Sequence, residues 1–373
     1  MIEIAWRNLV QSRARLAVSL LGVTFAVFLI LLQSGIYFGF VHSASAVIDH
    51  AEADLWVASA GTVNFESGWT FPEEQRAAVA GTPGIAWVGR LVHSFGYLKL
   101  PDGTGRWAQV VGFDPDTGIG GPWEMVAGSL AALKKPGTYV VDESSIPQLQ
   151  GVRVGDELEN FEHKMEIVGV SRGAKTYTTY PILFTSFRTA QEQLPFFEGK
   201  VNFLLAGLAP GADPGEVLER LERLERFDVH TAEDFSALTR TYWATKTGIG
   251  VGIGLTIGLG FLVGLVIVGQ TLYAATVERL REYATLKALG AKNVQVCAIL
   301  WGQSLFLGVT GYLAGAGLAV LARAAYSGEA VAVHFPRGLF GLALVTTLAM
   351  CLAASMLSVL RVLRADPAQV FRP

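Results

Sequence analysis

The polar residues whose types and spacing best support chemistry in this 373-residue chain lie together in the segment Glu278–Lys292. Glu278, Arg281, Glu282 and Lys287 mix both signs of charge along a short helical pattern. Leu286 and Leu289 are spaced among them, and Gly290 closes the segment. Long apolar runs flank it on both sides. An island of charge between two membrane runs is a place where a partner can push. The plainer alternative is that the charges solvate a loop at the headgroups, with Arg and Lys touching anionic lipid.

Catalytic chemistry has little footing. The chain has no GxxxxGK[ST] phosphate loop, no HExxH and no CxxC. Its six histidines are scattered, and His163 and His230 read as surface or structural residues. Asp114, Asp116, Asp142 and Glu143 stand near Gly and Pro, where acidic residues more often serve turns. No cofactor is therefore expected in this chain, and it is not expected to be an enzyme. No nucleic-acid partner is called for. The apolar runs hold no internal Asp, Glu, Lys or Arg, whereas ion-coupled transporters place such groups mid-span. If the chain drives movement, its energy comes from a separate ATPase that binds the ATP and Mg.

The elements that must position the charged segment are membrane helices. The chain is 51% hydrophobic and 16% charged, against about 25% charged in average proteins. Four charge-free runs, Leu16–Phe40, Thr247–Val277, Val294–Ala322 and Gly338–Leu360, each exceed the roughly 20 residues that cross a bilayer. Ala44-Ser45-Ala46 after the first run mimics a cleavage site, but the run is far longer than a signal-peptide core, so it reads as an uncleaved anchor. Residues 41–245 hold 16 Lys and Arg against 27 Asp and Glu, a balance of −11. The positive-inside bias then places the N-terminal arm, the 278–293 segment and the tail on the cytoplasmic side and 41–245 outside. Arg323 and Arg337 at the short outer loop run against that trend and are expected to snorkel or pair with Glu329. The two cysteines, Cys297 and Cys351, lie in membrane runs, so no disulfide frames the outer domain.

The outer domain alternates strands and helices. Ala53–Ala60, Gly96–Leu100, Trp107–Phe113, Val201–Leu208 and Phe227–His230 read as strands, and Tyr139–Val141 and Met165–Val170 as short strands in a Gly- and Pro-rich stretch. Thr70-Phe71-Pro72-Glu73 reads as a capping box opening a helix, and Asp213-Pro214-Gly215-Glu216 as the start of another. The order βαββ, insertion, βαβ predicts a split ferredoxin-like α+β unit with a β-rich insertion at about 114–195. Tyr37–Asp54 and Glu233–Lys246, neither containing Pro, are expected to prolong the first two spans as a stalk. Gly250, Gly254 and Gly258 repeat every four residues, as do Gly260 and Gly264. That spacing lets helix backbones approach closely, either in a seam between subunits or within one chain. Residues 1–15 read as an interfacial helix.

Trp6-Arg7-Asn8-Leu9, the Glu278–Lys292 segment and Leu363-Arg364-Ala365-Asp366-Pro367-Ala368 resemble the FtsX/MacB/LolC superfamily of ABC-transporter permeases. The order of one span, a large outer domain and three spans is similar too. Among its members the chain most resembles the DevC-type permeases, which lack a fused ATPase. The resemblance implies an inner-membrane, multi-pass permease with both termini in the cytoplasm. Its parts would be an interfacial arm (1–15), spans at 16–40, 246–277, 294–322 and 338–360, an extracytoplasmic porter domain (41–245), a coupling helix (278–293), a short outer loop (323–337) and a tail (361–373). It implies a homodimer with an ABC ATPase subunit, a membrane-fusion adaptor and an outer-membrane channel as partners, working by mechanotransmission in an export complex. Under it, Leu286 and Leu289 fill a groove on the ATPase while Glu278, Arg281, Glu282 and Lys287 fix its orientation, and Trp6, Arg7 and Asn8 anchor the arm. The superfamily's other use of the same movement is an FtsX-like signal transducer that activates a hydrolase outside the cell.

Overall fold

The computed structural model describes residues 13–174, 180–224, 226–325 and 333–364. In chain order the helices are α1 (Arg13–Ala44), α2 (Ala46–Asp49), α3 (Arg76–Ala80), α4 (Phe187–Gln193), α5 (Pro214–Glu222), α6 (Ala232–Thr245), α7 (Ile249–Glu278), α8 (Leu280–Ala288), α9 (Asn293–Ala325) and α10 (Leu339–Leu363). The strands are β1 (Leu55–Ser59), β2 (Phe71–Pro72), β3 (Ile85–Lys99), β4 (Gly105–Phe113), β5 (Met125–Gly128), β6 (Thr138–Asp142), β7 (Glu157–Asn160), β8 (His163–Ser171), β9 (Ile182–Ser186), β10 (Lys200–Val201), β11 (Phe203–Leu208) and β12 (Phe227–Thr231). They fall into two compact units, one built on the four long helices and one spanning Gly39–Gly250.

The helical unit contains four helices long and apolar enough to cross a membrane: Leu16–Ala44 of α1, and α7, α9 and α10 in full. Their shared core is Val23, Ala26, Val27 and Leu31 of α1 with Val268, Leu307, Met350 and Cys351. Small residues set the spacing. A methyl added at Gly264 would come 2.7 Å from Ala26 Cβ and from Met350 Sδ, and one at Gly311 would meet Val23 at 2.5 Å. Gly260 likewise faces Leu29 of α1. By contrast, Gly254 and Gly258 meet nothing within 4 Å. The glycines of α7 therefore divide: Gly260 and Gly264 pack within the chain, while Gly254 and Gly258 lie on the exposed face with Val251, Leu255, Leu259 and Leu262. Gly250 lies against the Ala244 carbonyl at the start of α7. Both cysteines are buried and free. Arg323 lies over the Phe335 ring, 5.7 Å from its centroid.

In the second unit, β1, β3, β11 and β12 pair antiparallel in the order β12-β1-β11-β3. With α3 before β3 and α5 between β11 and β12, this is the ferredoxin-like arrangement, split by the segment between β3 and β11. Alternation along the strands gives the sheet two faces. Val57, Val88, Leu204 and Val229 join Val79 of α3 and Val217 and Leu221 of α5 in one core. Trp56, Leu91, Phe203 and Leu205 join Val47 and Ile48 of α2 and Phe235 of α6 in the other. Helices thus cover both faces.

The inserted strands close on themselves. β3 pairs β4, β4 pairs β9, β9 pairs β6, β6 pairs β8, β8 pairs β7, and β7 returns to β3. This ring of six strands is a small barrel that leaves no open edge of its own, with β5 added outside on β8. Since β4 belongs to this ring, the inserted sheet begins in the second half of β3 rather than at about residue 114. The capping box read at Thr70–Glu73 is overturned too. Phe71–Pro72 pairs with β10, and the helical turn starts at Glu73 with Pro72 as its extended N-cap.

Candidate functional site

α8 is short, and its end is set by chemistry. Gly290 adopts φ +94, a conformation that strains residues bearing a Cβ. Its N–H donates to the Lys287 carbonyl at 3.0 Å, and the Ala291 N–H donates to the Leu286 carbonyl at 3.0 Å. That is the Schellman termination, completed by the apolar pair it favours, Leu286 and Ala291. Both pack against Tyr283, Val296, Cys297, Leu300 and Val362. Leu286 is therefore turned into the chain's own core. Lys287 is also engaged within the chain: its Nζ donates to the Val362 and Leu363 carbonyls, both at 3.1 Å, capping the C-terminus of α10. Glu282 pairs with Arg279 at 3.7 Å.

The residues left exposed along α8 are Arg281, Glu282, Thr285, Ala288 and Leu289, followed by Gly290, Lys292 and, at the start of α9, Asn293, Val294 and Gln295. Leu289 is 80% exposed and Val294 72%. These are the two large apolar side chains that this segment offers outward. Leu289 stands out in the sequence, whereas Val294 sits in an apolar run and there resembles membrane core. Glu278 ends α7 as an exposed residue. Trp6, Arg7 and Asn8 lie outside the described residues.

A second polar cluster lies in the Gly39–Gly250 unit, between α2 and α6. Asp49 accepts from Arg240 Nη2 at 2.5 Å, from Ser236 Oγ at 2.7 Å and from Ser45 Oγ at 2.8 Å. Arg240 Nε donates to Ser45 Oγ at 2.7 Å. One carboxylate thus takes three donors from two segments, a charge-assisted arrangement stronger than isolated bonds. Beside it, Trp243 Nε1 donates to Glu66 at 3.0 Å and its ring meets Phe40 edge-on at 6.1 Å. Phe235 of α6 sits fully buried against Trp56 and Phe203 of the sheet. Thr231 caps α6 by accepting from the Asp234 N–H. α6 and α7 are separate helices, parted at Gly248 with φ +74.

Asp114, Asp116, Asp142 and Glu143 each have partners within the chain. Asp142 is 1% exposed and accepts from the Ser144 N–H and Oγ, from the Ala174 N–H and from Ser171 Oγ. Glu143 pairs with Arg172, Asp116 with Lys134 and Asp114 with Arg90. Among the described residues no group of three His, Cys, Asp or Glu could hold a metal. His230 stacks on Phe235 at 5.6 Å. His93 is fully buried, and its ring nitrogens meet no hydrogen-bond partner of normal geometry. Burial pushes its pKa down to about 4, only partly offset by the neighbouring Gln109.

The family model of the MacB-like periplasmic core domain matches residues 16–224, and that of the FtsX-like permease C-terminal region matches residues 254–367. The chain belongs to the FtsX/MacB-like permease superfamily and is a permease subunit of the ABC-transporter type, a multi-pass membrane protein with an extracytoplasmic α+β domain. It is similar along its whole length to two uncharacterized ABC transporter permeases of Mycobacterium tuberculosis strain H37Rv. One is 24% identical over 372 residues, covering 100% of this chain and 99% of the relative. The other is 24% identical over 371 residues, covering 99% and 97%. An uncharacterized ABC transporter permease of Methanocaldococcus jannaschii is 28% identical over 175 residues, 46% of this chain and 43% of the relative. Among solved structures, the periplasmic region of MacB from Actinobacillus actinomycetemcomitans aligns with a TM-score of 0.40 at 10% identity, covering 50% of this chain and 92% of that one. The extracellular domain of the transporter YknZ from Gram-positive bacteria aligns with a TM-score of 0.36 at 11% identity, covering 48% and 98%.

Proposed function

We propose that this chain is the membrane subunit of an ATP-driven export complex that works by mechanotransmission, most like the DevC-type permeases, with the ATP and Mg bound by a separate ATPase. α8 and the start of α9 face the cytoplasm and form the coupling element. Leu289 and Val294 seat in the ATPase, Arg281 and Glu282 orient it by charge, and Leu286 and Lys287 hold α8 rigid against α9 and α10. Two copies form the complex, with the exposed face of α7 around Gly254 and Gly258 as their seam. A membrane-fusion adaptor and an outer-membrane channel receive the movement outside.

The observation that carries this reading is the Asp49 hub. A lever needs its two arms tied together and anchored to the load. Asp49, Arg240, Ser45 and Ser236 tie the segment after the first span to the one before the second, and Phe235 anchors them in the sheet. The test is co-purification of the full chain with a co-expressed ABC ATPase subunit from the same genome, followed by ATP hydrolysis in nanodiscs. Leu289→Asp is expected to abolish complex formation while the permease alone stays folded. An unimpaired complex carrying Leu289→Asp contradicts the coupling surface. Capture of a cell-wall hydrolase in place of an adaptor would move the reading to an FtsX-like signal transducer.

A further inference from the structure

We infer that Gln270 pins the seam between two copies of this chain: their α7 helices pack side by side along 259–277, and the two Gln270 amides bond to each other across a two-fold axis. The inference rests on the reading that two copies meet along α7, and it places the contact in the half of the helix that leads into α8. Over that half α7 has two unlike faces. Gly260, Gly264, Val268, Leu272 and Thr276 are buried within the chain. Leu259, Val263, Val266, Gln270, Tyr273 and Val277 are exposed. Their spacing alternates four and three residues, which is the heptad seam of a left-handed helix pair. α7 is also the least covered of the four spans, with 17% of its most apolar stretch buried against 28–44% in the others.

Lipid can cover the apolar members of this stripe, but it cannot serve Gln270. The Gln270 side chain is exposed, and its amide meets no hydrogen-bond partner among the described residues. Its depth follows from the charges that bound the run, Lys246 and Glu278. Gln270 stands eight residues from their midpoint, about 12 Å at 1.5 Å per residue. That is inside the ~15 Å half-thickness of the hydrocarbon, where an unpaired amide is costly. A second copy supplies the missing partner by symmetry. The two α7 helices cross the membrane in the same direction, so a two-fold axis between them sets each residue of the seam against itself. An amide is suited to face its own copy. Its carbonyl accepts and its NH2 donates, so two facing amides exchange two hydrogen bonds. One polar position in an otherwise apolar seam also fixes register, because a slide along the stripe leaves both amides in hydrocarbon.

The test is self-association of the full chain, labelled for energy transfer, in liposomes at falling ratios of protein to lipid. Gln270→Leu is expected to raise the apparent dissociation constant roughly 3- to 30-fold over wild type. It is expected to leave the melting of the unassociated chain unchanged, since no bond within the chain is lost. Gln270→Asn keeps an amide and is expected to fall between wild type and Gln270→Leu. Under mild oxidation Gln270→Cys and Val263→Cys are expected to cross-link to their own copies, above the background of the two buried native cysteines. Val268→Cys, on the buried face, is not. Gln270→Leu chains that associate as tightly as wild type would overturn the inference. If Gly254→Val or Gly258→Val then weakens association in the same assay, the copies still meet on α7 and only the contact at Gln270 is wrong. A wild-type chain that stays single at every ratio would overturn the subunit seam itself.

Discussion

Two leucines three residues apart, Leu286 and Leu289, have opposite fates, and the difference lies in Gly290. The left-handed turn at Gly290 folds Ala291 back onto Leu286 and leaves Leu289 pointing away. Leu286→Asp is therefore expected to loosen the packing of α8 on α9 and α10 and to lower thermal stability of the permease alone. Leu289→Asp should leave that midpoint unchanged and act only on partner binding. Comparing the two in a melting assay without the ATPase separates the roles. His93 gives a second residue-scale expectation. Its folded pKa of about 4 lies below its ordinary 6.5. Above pH 6.5 neither state holds the proton. As the pH falls from 6.5 towards 4 the unfolded chain takes it up and the folded chain does not, so stability is lost, on the order of 3 kcal/mol in full. Unfolding midpoints between pH 7.5 and 4.5 should fall less steeply in His93→Phe than in wild type. Equal slopes would show that His93 does not govern this range.

At the scale of elements, much was legible where the signal is one-dimensional. The four spans follow from hydropathy alone, and the ferredoxin-like unit from the order of strands and helices along the sequence. The start of the inserted barrel was not legible, because β3 changes partner between Leu91 and Val92 with no turn residue to mark it. The capping box at Thr70 was misleading because pairing of Phe71 with Val201 outweighs a local helix-start signal. The Asp49–Arg240 hub joins residues 191 apart in sequence, and nothing local to either announces the other. Arg240→Ala leaves the Asp49 carboxylate without its cation, and a cost of about 1–3 kcal/mol is expected. In the complex it should slacken the lever, leaving ATP hydrolysis intact but reducing cargo export. Export at the wild-type rate in Arg240→Ala would contradict the role given to the hub. The glycines offer a paired test. Gly264→Val and Gly311→Val should destabilise the helical unit, since Ala26, Met350 and Val23 already occupy the space. Gly254→Val and Gly258→Val should fold normally, and in cross-linking they should weaken self-association if that face is the seam.

For the whole molecule, an exposed apolar pair at the junction of α8 and α9 and a polar hub between two segments of the extracytoplasmic unit are the two ends of the proposed movement. In the proposed mechanism, ATP binding by a partner is felt at Leu289 and Val294 and moves the extracytoplasmic domain. The most direct measurement is the distance between spin labels at Lys164→Cys in the two copies of the assembled complex. It would be compared without nucleotide and with ATP bound but hydrolysis blocked. The account predicts a shift of the distance distribution on ATP binding, and its loss when Leu289 is replaced by Asp. A distribution that ignores ATP, or one that shifts equally in Leu289→Asp complexes, would contradict it.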